Sequence, residues 1–414
     1  MNPSRLKIGM ISYRSNPHCG GQGVYIRNLS QALSDLGHEV EVISGPQDPL
    51  LNANSKLTML KTLDLYNPDD LFRTPKTHEL KEFINLVEWL GVSTMGYPEP
   101  LCFGMRAKQY LMDKLDRYDI IHDNQSLSFG IHALSKKIPV TATIHHPITV
   151  DRRIAVKSTR SFFKKLKHLR WYSFIGMQKY VARRLPQIIT VSNYSKKDIA
   201  GEFSIPETKF TTIPIGIDTT IFYPLDRTKR QPDRLIVTNS ADTPLKGLFY
   251  LLHAVKKVSE TRPVSLTVIG SPRENGGIER LIKTLDLTNI VRFTGRIDNA
   301  RFRQEYAASA IAVVPSVYEG FGLPVGEAMA CRIPVISTTG GALPEVAGNA
   351  AKLVPPADCN ALAAAITELL DDPEEQERLA EKGYNRVMSH FTWARTAEDT
   401  ASAYRKIIHD NNRP

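Results

Sequence analysis

Short apolar runs alternate with helical patterns along the first half of the chain. "LKIGMIS" at 6–12 predicts a first strand, and apolar residues at helical spacing then follow until Gly37. The same kind of apolar run predicts further strands at 38–44, 118–123, 139–145, 187–192 and 210–216. Residues from about 50 to 110 are rich in proline and turn signals, and their pattern predicts no clear element.

A second series of the same kind follows a segment rich in proline and charge at 218–234, which predicts a linker. Helices are predicted at 246–258 and 278–287. The strands of this series are predicted at 235–241, 264–270, 289–295, 310–316, 333–338 and 350–356.

Alternation of strands and helices predicts α/β domains whose parallel sheets are covered by helices on both faces. Two series, in a chain of 414 residues, predict two doubly wound, Rossmann-like domains, 1–218 and 219–392. Ligands of such sheets bind beyond the carboxyl ends of the strands, so a cleft between the two sheets is the expected site.

Composition narrows the class of protein. No apolar run approaches the roughly 18 residues that span a bilayer, and the apolar stretch near the N-terminus is too short for a secretory signal. The four cysteines lie far apart, which disfavours a zinc site or a disulfide framework. We therefore expect a cytoplasmic protein.

One segment carries the whole excess of positive charge. Residues 152–197 contain 13 lysines and arginines and no acid, so the positive charge of this segment exceeds the net charge of the whole chain, which is +10. Within it, Lys164, Lys165, Lys167 and Arg170 lie among apolar residues at helical spacing. A basic helix with aromatic residues suits binding to the inner face of an anionic membrane, or binding of an acceptor. The alternative is a helix packed in the domain whose exposed side is basic. No nucleic-acid-binding module is present.

Two motifs in the first half suit a sugar nucleotide. Glycines in "HCGGQGVYI" follow the first strand, where they can admit a phosphate at a helix N-terminus or simply form a tight turn. "TATIHHPI" ends a strand with His145 and His146, and the first can donate a hydrogen bond to a sugar or phosphate oxygen. Adjacent strand residues point to opposite faces, so the two histidines do not form one metal site. We expect His146 to be a packing histidine whose hydrogen bonds are satisfied.

The stretch "SVYEGFGLPVGEAMACRIPVIST" at 316–338 holds two carboxylates on either side of a glycine-rich turn. Pro324 predicts a helix start, which would expose the amides of Phe321, Gly322 and Leu323 to an anion. Glu327, one turn inside, can accept from two vicinal hydroxyls of a ribose, and Glu319 is placed to meet another part of the same ligand. Favourable charge at a helix start is the alternative explanation for both.

Lys246 stands beside the predicted start of another helix, where a lysine is unfavourable unless a phosphate lies between. A solvated surface lysine is the alternative. No Asp-x-Asp occurs in the chain, which counts against a metal-bound nucleotide-sugar site built on such a pair.

Taken in order, "GGQG", "ATIH", "VSNYSKKDI", "IPIGIDTTIFYP", "LKGLFYLLHA", "VRFTGRI", the 316–338 stretch and "FTWARTAEDTASAYRKI" resemble glycosyltransferase family 4 over nearly the whole chain. The resemblance implies the GT-B fold and a retaining, metal-independent hexosyltransferase. It also implies a C-terminal helix, 393–414, that joins the first domain.

The family's roles map onto residues of this chain. The resemblance implies that His145, Glu319 and Lys246 act at the reaction centre, with Glu319 not a covalent nucleophile. The donor-binding residues that it implies are Gly20, Gly21, Lys246, Phe321, Gly322, Leu323, Glu327 and Arg296. It implies a UDP- or GDP-linked sugar as donor and neither metal nor other cofactor.

The chain departs from the family at Ser240, where an arginine is usual. The missing cation would weaken stabilisation of the departing diphosphate unless Arg273 or Arg296 replaces it. The function expected first is transfer of a sugar to a lipid-linked or envelope glycan. A soluble transferase to a sugar phosphate and an inactive GT-B binding subunit are the alternatives.

Overall fold

The structure is a computed structural model that describes residues 5–16, 21–52, 54–67, 70, 73–157, 159, 161–225, 230–238 and 243–411. The chain forms two compact units. One contains Met1–Val191, Ser195–Ile213 and Thr396–Pro414, and the other contains Ser192–Tyr194 and Pro214–Arg395.

The first unit is built on a seven-stranded parallel sheet. Its strands are β1 (Lys7–Ser12), β2 (Glu39–Ser44), β3 (Lys56–Met59), β4 (Ile120–Asn124), β5 (Val140–Ile144), β6 (Ile188–Thr190) and β7 (Phe210–Thr212). They are ordered β3-β2-β1-β4-β5-β6-β7, so the strand order reverses between β1 and β4. The helices are α1 (Gly21–Asp35), α2 (Phe83–Ser93), α3 (Glu99–Leu111), α4 (Phe129–Leu134), α5 (Thr149–Lys157), α6 (Phe162–Trp171), α7 (Ile175–Ala182) and α8 (Asn193–Phe203).

The second unit contains a six-stranded parallel sheet. Its strands are β8 (Gln231–Thr238), β9 (Ser265–Ile269), β10 (Val291–Phe293), β11 (Ser309–Val314), β12 (Val335–Thr338) and β13 (Lys352–Val354), in the order β10-β9-β8-β11-β12-β13. The helices are α9 (Leu248–Ser259), α10 (Gly277–Thr284), α11 (Asn299–Ala307), α12 (Leu323–Ala330), α13 (Leu343–Ala347), α14 (Cys359–Leu370) and α15 (Pro373–His390). The last helix of the chain is α16 (Trp393–Asn411).

Continuous apolar runs become central strands because both faces of each sheet are covered. All six residues of β11 are buried, and β1 is buried after its first residue. Ile311 on β11 and Leu251 and Leu252 on α9 belong to one core, and each fully buried leucine stabilises the fold by about 2 kcal/mol. The predicted class, two doubly wound parallel α/β sheets, is confirmed.

The section from 50 to 110 is more regular than its pattern predicted. It contains β3, α2 and α3, which pair with or pack against elements of the first unit. The predicted linker also ends earlier than expected, because β8 begins at Gln231.

Candidate active site

Two loops of the second unit meet where its strand order reverses, between β8 and β11. The turn Pro244–Lys246 follows β8, and its Leu245 carbonyl accepts a hydrogen bond of 2.7 Å from the Val317 amide, just beyond β11. Gly247 has a φ of +71°, and a Cβ there would lie 1.9 Å from the Pro315 carbonyl oxygen. Only glycine allows the Lys246 turn to approach the β11 loop so closely.

This approach brings Lys246 and Glu319 together. Lys246 Nζ lies 2.7 Å from Glu319 Oε1, and Ser316 Oγ donates to the same oxygen at 2.8 Å. Glu319 is therefore paired within the protein, whereas the sequence pattern predicted a carboxylate left to meet the ligand. Ser316 was not singled out from the sequence, although it is the first polar residue after the buried strand β11.

A second glycine turn supports the backbone of Glu319. Gly341 has a φ of +65°, and a Cβ there would lie 2.2 Å from the Glu319 carbonyl oxygen. The Ala342 amide donates to that oxygen at 2.9 Å. The position of the Glu319 main chain is thus determined by close packing against residues that follow β12.

Helix α12 begins next to this pair. Its N-cap is Gly322, with a φ of +109° and no side-chain cap. The amides of Phe321, Gly322 and Leu323 donate to none of the described residues. Pro324 occupies the second helical position rather than the predicted first. The uncapped helix start leaves donors and the positive end of the helix dipole available to an anion.

Glu327 lies one turn inside α12. Burial raises the pKa of its carboxyl to about 7, Glu319 adds to the rise, and Lys246 opposes it. Near neutral pH the carboxyl group is therefore poised between its two protonation states, where the neighbouring charge of a ligand can decide which one is present.

The other positions considered for binding of the nucleotide-sugar donor are Gly20, Gly21, Ser240, Arg273 and Arg296. Gly20 and Ser240 lie outside the described residues. Arg296 follows β10, is exposed, and pairs with no described residue. Arg273 is exposed in the loop after β9. Gly21 is the first residue of α1.

In the first unit His145 follows β5 and is buried beside the end of β4. Its Nε2 lies 2.9 Å from Asn124 Oδ1, and its amide donates to Gln125 Oε1 at 2.8 Å. Asn124 Nδ2 donates to the Gln22 carbonyl oxygen at 3.1 Å. Because that oxygen only accepts, the amide group of Asn124 has a defined orientation and Oδ1 faces the imidazole.

The proton of His145 is consequently assigned to Nε2. Burial lowers the pKa of His145 to about 3, so the ring is neutral. Its Nδ1 bonds to no described residue and can only accept. The sequence pattern predicted a donor to sugar or phosphate oxygen; this geometry instead suits a sugar hydroxyl that donates to Nδ1.

A series of hydrogen-bonded side chains within the core packs against this histidine. The Tyr25 ring packs edge-on against His145 at a centroid distance of 4.8 Å, and its hydroxyl lies 2.9 Å from Thr143 Oγ1. Thr143 also bonds to His122 Nε2 at 2.7 Å, and His122 Nδ1 bonds to the hydroxyl of Tyr404 on α16. The polar run "HDNQS" at 122–126, which begins inside β4 and continues beyond its end, is the sequence signal that could have indicated Asn124 and Gln125.

Not every sequence expectation about this unit is correct. His146 is partly exposed and its Nε2 lies 3.1 Å from Asp151 Oδ2, so it is not the packing residue that was expected. Helix α6 has no buried residue, so it is not the packed helix that was the alternative to a membrane-facing one. Phe162 and Phe163 are 74% and 80% exposed. Lys164, Lys165 and Lys167 form no ion pair with a described residue, and Arg170 bonds to Ser173 and Thr94.

Two features are absent from the part of the chain that the structure describes. They contain no group of three or more histidine, cysteine and acidic side chains arranged to hold a metal ion. Among them there is also no helix with both the length and the apolar character needed to cross a membrane.

Comparison with known proteins identifies the family. Residues 19–221 match the family described as Glycosyltransferase Family 4, and residues 225–386 match Glycosyl transferases group 1. The chain is 42% identical over 408 residues to the MMP alpha-(1->4)-mannosyltransferase of Mycolicibacterium hassiacum, covering 97% of this chain and 98% of that protein. The chain belongs to glycosyltransferase family 4.

Other relatives agree with this assignment. A glycogen synthase of Mycobacterium tuberculosis is 26% identical over 96% of this chain and 94% of its own. Among solved structures, a sucrose-phosphate synthase from Thermosynechococcus elongatus superposes with a TM-score of 0.74 at 25% identity, over 98% of this chain and 100% of its own. Anabaena HepE, in complex with UDP-glucose, has a TM-score of 0.68 at 16% identity, over 97% and 100%. The predicted GT-B fold and glycosyltransferase activity are therefore confirmed.

Proposed function

We propose that this family 4 glycosyltransferase transfers mannose from a nucleotide donor to a glycan and forms an α-(1→4) linkage. The full-length identity of 42% to the MMP alpha-(1->4)-mannosyltransferase is the observation that carries the proposal. Nucleotide-linked mannose of the common kind is an α-glycoside, so an α-linked product means retention of configuration. This relative also disfavours the alternatives of a sugar-phosphate acceptor and an inactive subunit.

The donor half of the proposal follows from the second unit. The uncapped start of α12 offers the amides of Phe321 to Leu323 to a diphosphate, with Lys246 beside them. Glu327, in its ionised form, accepts hydrogen bonds from the ribose hydroxyls. Glu319 then exchanges part of its contact with Lys246 for the transferred sugar. Arg296 supplies a further cation if it reaches the diphosphate.

The chemistry needs charge stabilisation rather than a covalent intermediate. As the bond between sugar and diphosphate breaks, negative charge grows on the phosphate oxygens, where Lys246 and the α12 amides stabilise it. The departing phosphate accepts the proton of the attacking acceptor hydroxyl, on the same face of the sugar. His145 accepts a hydrogen bond from a sugar hydroxyl at Nδ1 and so orients the ring. These groups act without a metal ion.

A further part of the proposal is that the enzyme attaches to a membrane surface. Helix α6 exposes Phe162, Phe163, Leu166 and Leu169 together with Lys164 and Lys167, and Lys165 is partly exposed. Exposed aromatic and apolar side chains, beside cations that form no ion pair with a described residue, suit reversible attachment to an anionic bilayer. Such attachment would bring the enzyme to a lipid-linked glycan on the cytoplasmic side.

A donor and acceptor screen tests the function. Purified protein is incubated with GDP-mannose, UDP-mannose or UDP-glucose and with α-(1→4)-linked manno-oligosaccharides, with EDTA in one arm. We expect mannose transfer that survives EDTA, and an α-anomeric signal in the proton NMR spectrum of the product. Transfer of glucose alone, a β-linked product, or activity that EDTA abolishes and Mg²⁺ restores would contradict the corresponding part of the proposal.

A further inference from the structure

A cluster of charged and aromatic side chains lies beyond the end of β1. Arg14 Nε lies 2.7 Å from Glu99 Oε2, and the Tyr97 hydroxyl donates to the same oxygen at 2.5 Å. The Arg14 guanidinium lies over the rings of Tyr66 and Tyr97, at 5.4 and 5.7 Å from their centroids. Neither the family motifs nor the donor site uses any of these residues.

The guanidinium of Arg14 is held by one hydrogen bond, and its other N–H groups bond to no described residue. Its side chain is 39% exposed, and only Nε bonds to a described residue. The two terminal nitrogens form a planar fork suited to a pair of oxygens. Since Arg14 follows the first strand next to the reversal of strand order, this fork lies at the ligand-binding edge of the sheet.

The positive charge of Arg14 is already paired with the carboxylate of Glu99. Glu99 is buried against it, so an incoming anion would meet the arginine and its carboxylate together rather than a free cation. A neutral ligand with two adjacent oxygens gains the fork geometry without that opposing charge. This balance favours vicinal hydroxyl groups over a phosphate or carboxylate.

Aromatic rings lie next to the Arg14 guanidinium. Tyr97 stacks on Trp171 at a centroid distance of 5.0 Å, and Tyr66 meets Trp171 edge-on at 5.7 Å. All three rings are half-buried, so part of each remains open to solvent. The apolar C–H face of a pyranose is the natural partner of such a surface, while its hydroxyls point to the rim.

We propose that Arg14, Glu99, Tyr66, Tyr97 and Trp171 form an acceptor subsite for a neutral sugar unit. The fork of Arg14 holds two vicinal hydroxyls, and the ring stacks against the aromatic residues. The proposal rests on the proposed function in that it takes the first unit to bind the glycan acceptor. It deepens that function by specifying an uncharged glycan.

Substitution of Arg14 tests the subsite. Arg14→Ala and Arg14→Lys are compared with wild type and with Arg117→Ala, an exposed arginine at a different place in the same unit. Acceptor KM is measured with α-(1→4)-linked mannotriose and mannotetraose. We expect both Arg14 variants to raise this KM at least tenfold, while Arg117→Ala leaves it unchanged. GDP affinity by calorimetry should remain within twofold in every variant, because Lys246, Glu327 and the α12 amides, to which we assign nucleotide binding, lie in the second unit.

Charge is tested separately with mannose 6-phosphate. Wild type should bind it more weakly than mannotriose. Glu99→Gln should reverse that preference, because it leaves the Arg14 charge unmatched. Thermal melting confirms that this buried variant is folded, and the Arg14 variants carry the test if it is not.

Three results would overturn the proposal: an unchanged acceptor KM in Arg14→Ala, full function in Arg14→Lys, or tighter wild-type binding of mannose 6-phosphate than of mannotriose. Quenching of tryptophan fluorescence by mannotriose measures acceptor binding without turnover. If wild type transfers no mannose but the quenching depends on Arg14, the proposed function fails while the subsite stands.

Discussion

At the residue scale, the carboxyl group of Glu327, which we propose to bind the ribose, lowers the stability of the fold when it is ionised. Its pKa is about 7 in the folded chain and 4.5 in the unfolded reference. Between these values the folded state holds a proton that the unfolded state has lost. The contribution of the protonated carboxyl to stability is therefore complete below about pH 4.5 and is lost as pH rises through 7.

Glu327→Gln should accordingly gain stability relative to wild type as pH rises. We expect the difference in free energy of unfolding between pH 4.5 and pH 8 to change by about 1–3 kcal/mol in favour of the variant, allowing for partial solvent screening. Urea titrations at several pH values measure it. Glu374→Gln, on the exposed first turn of α15, is the control. A pH-independent difference would show that the folded-state pKa is not raised.

His145 leads to a second prediction at this scale, which concerns its tautomer. ¹⁵N NMR of histidine-labelled protein should show a neutral ring with the proton on Nε2 from pH 5 to 8, with His145→Gln as the assignment control. Asn124→Asp replaces the neutral acceptor by a carboxylate, which raises the pKa of His145 and should make it titrate within that range. Wild-type titration near pH 6.5, or a proton on Nδ1, would contradict the hydrogen-bond assignment.

At the element scale, α6 and α2 show that the hydropathy pattern of a helix does not by itself determine which of its residues are buried. On α6 apolar residues recur at helical spacing, yet none of the residues of this helix is buried, which counts against the alternative of a packed helix. On α2 the leucines at 86 and 90 are exposed, whereas Glu88 is buried and lies 2.6 Å from Arg106 of α3. A buried ion pair on an otherwise apolar helix reverses the usual relation between hydropathy and burial.

Exposure of both aromatic and basic side chains on α6 leads to the membrane prediction. Flotation should show binding to anionic vesicles that weakens with salt, since each cation near such a surface contributes on the order of 1 kcal/mol within a Debye length. Replacing Lys164, Lys165, Lys167 and Arg170 by glutamine should release the protein. Replacing Lys136, Lys137 and Arg117, outside the segment 152–197, should not.

Equal flotation on neutral and anionic vesicles would contradict the electrostatic account, and so would a failure of wild type to float at low salt. Phe162→Ser and Phe163→Ser together should also weaken binding, because the exposed rings would otherwise insert at the interface.

At the scale of the whole molecule, strand–helix alternation was sufficient to predict two doubly wound sheets. Parallel strands buried on both faces must be apolar throughout, and the connecting helices must be amphipathic, so the pattern is local and appears in the sequence. Motif order likewise predicted the family and the positions of Lys246, Glu319 and Glu327. Glycines 247, 322 and 341 were necessary there because a left-handed backbone or a close approach excludes a side chain.

Only the tertiary structure decided how these side chains interact. The pairing of Lys246 with Glu319, the Nε2 proton of His145 and the matched charge of Arg14 each join residues at least 21 positions apart. A local pattern specifies which residue types follow a strand, but it does not specify which of them meet across the sheet or how deeply they are buried. Hydrogen bonds and pKa values depend on those distances and on desolvation, so they emerge only when the chain is folded.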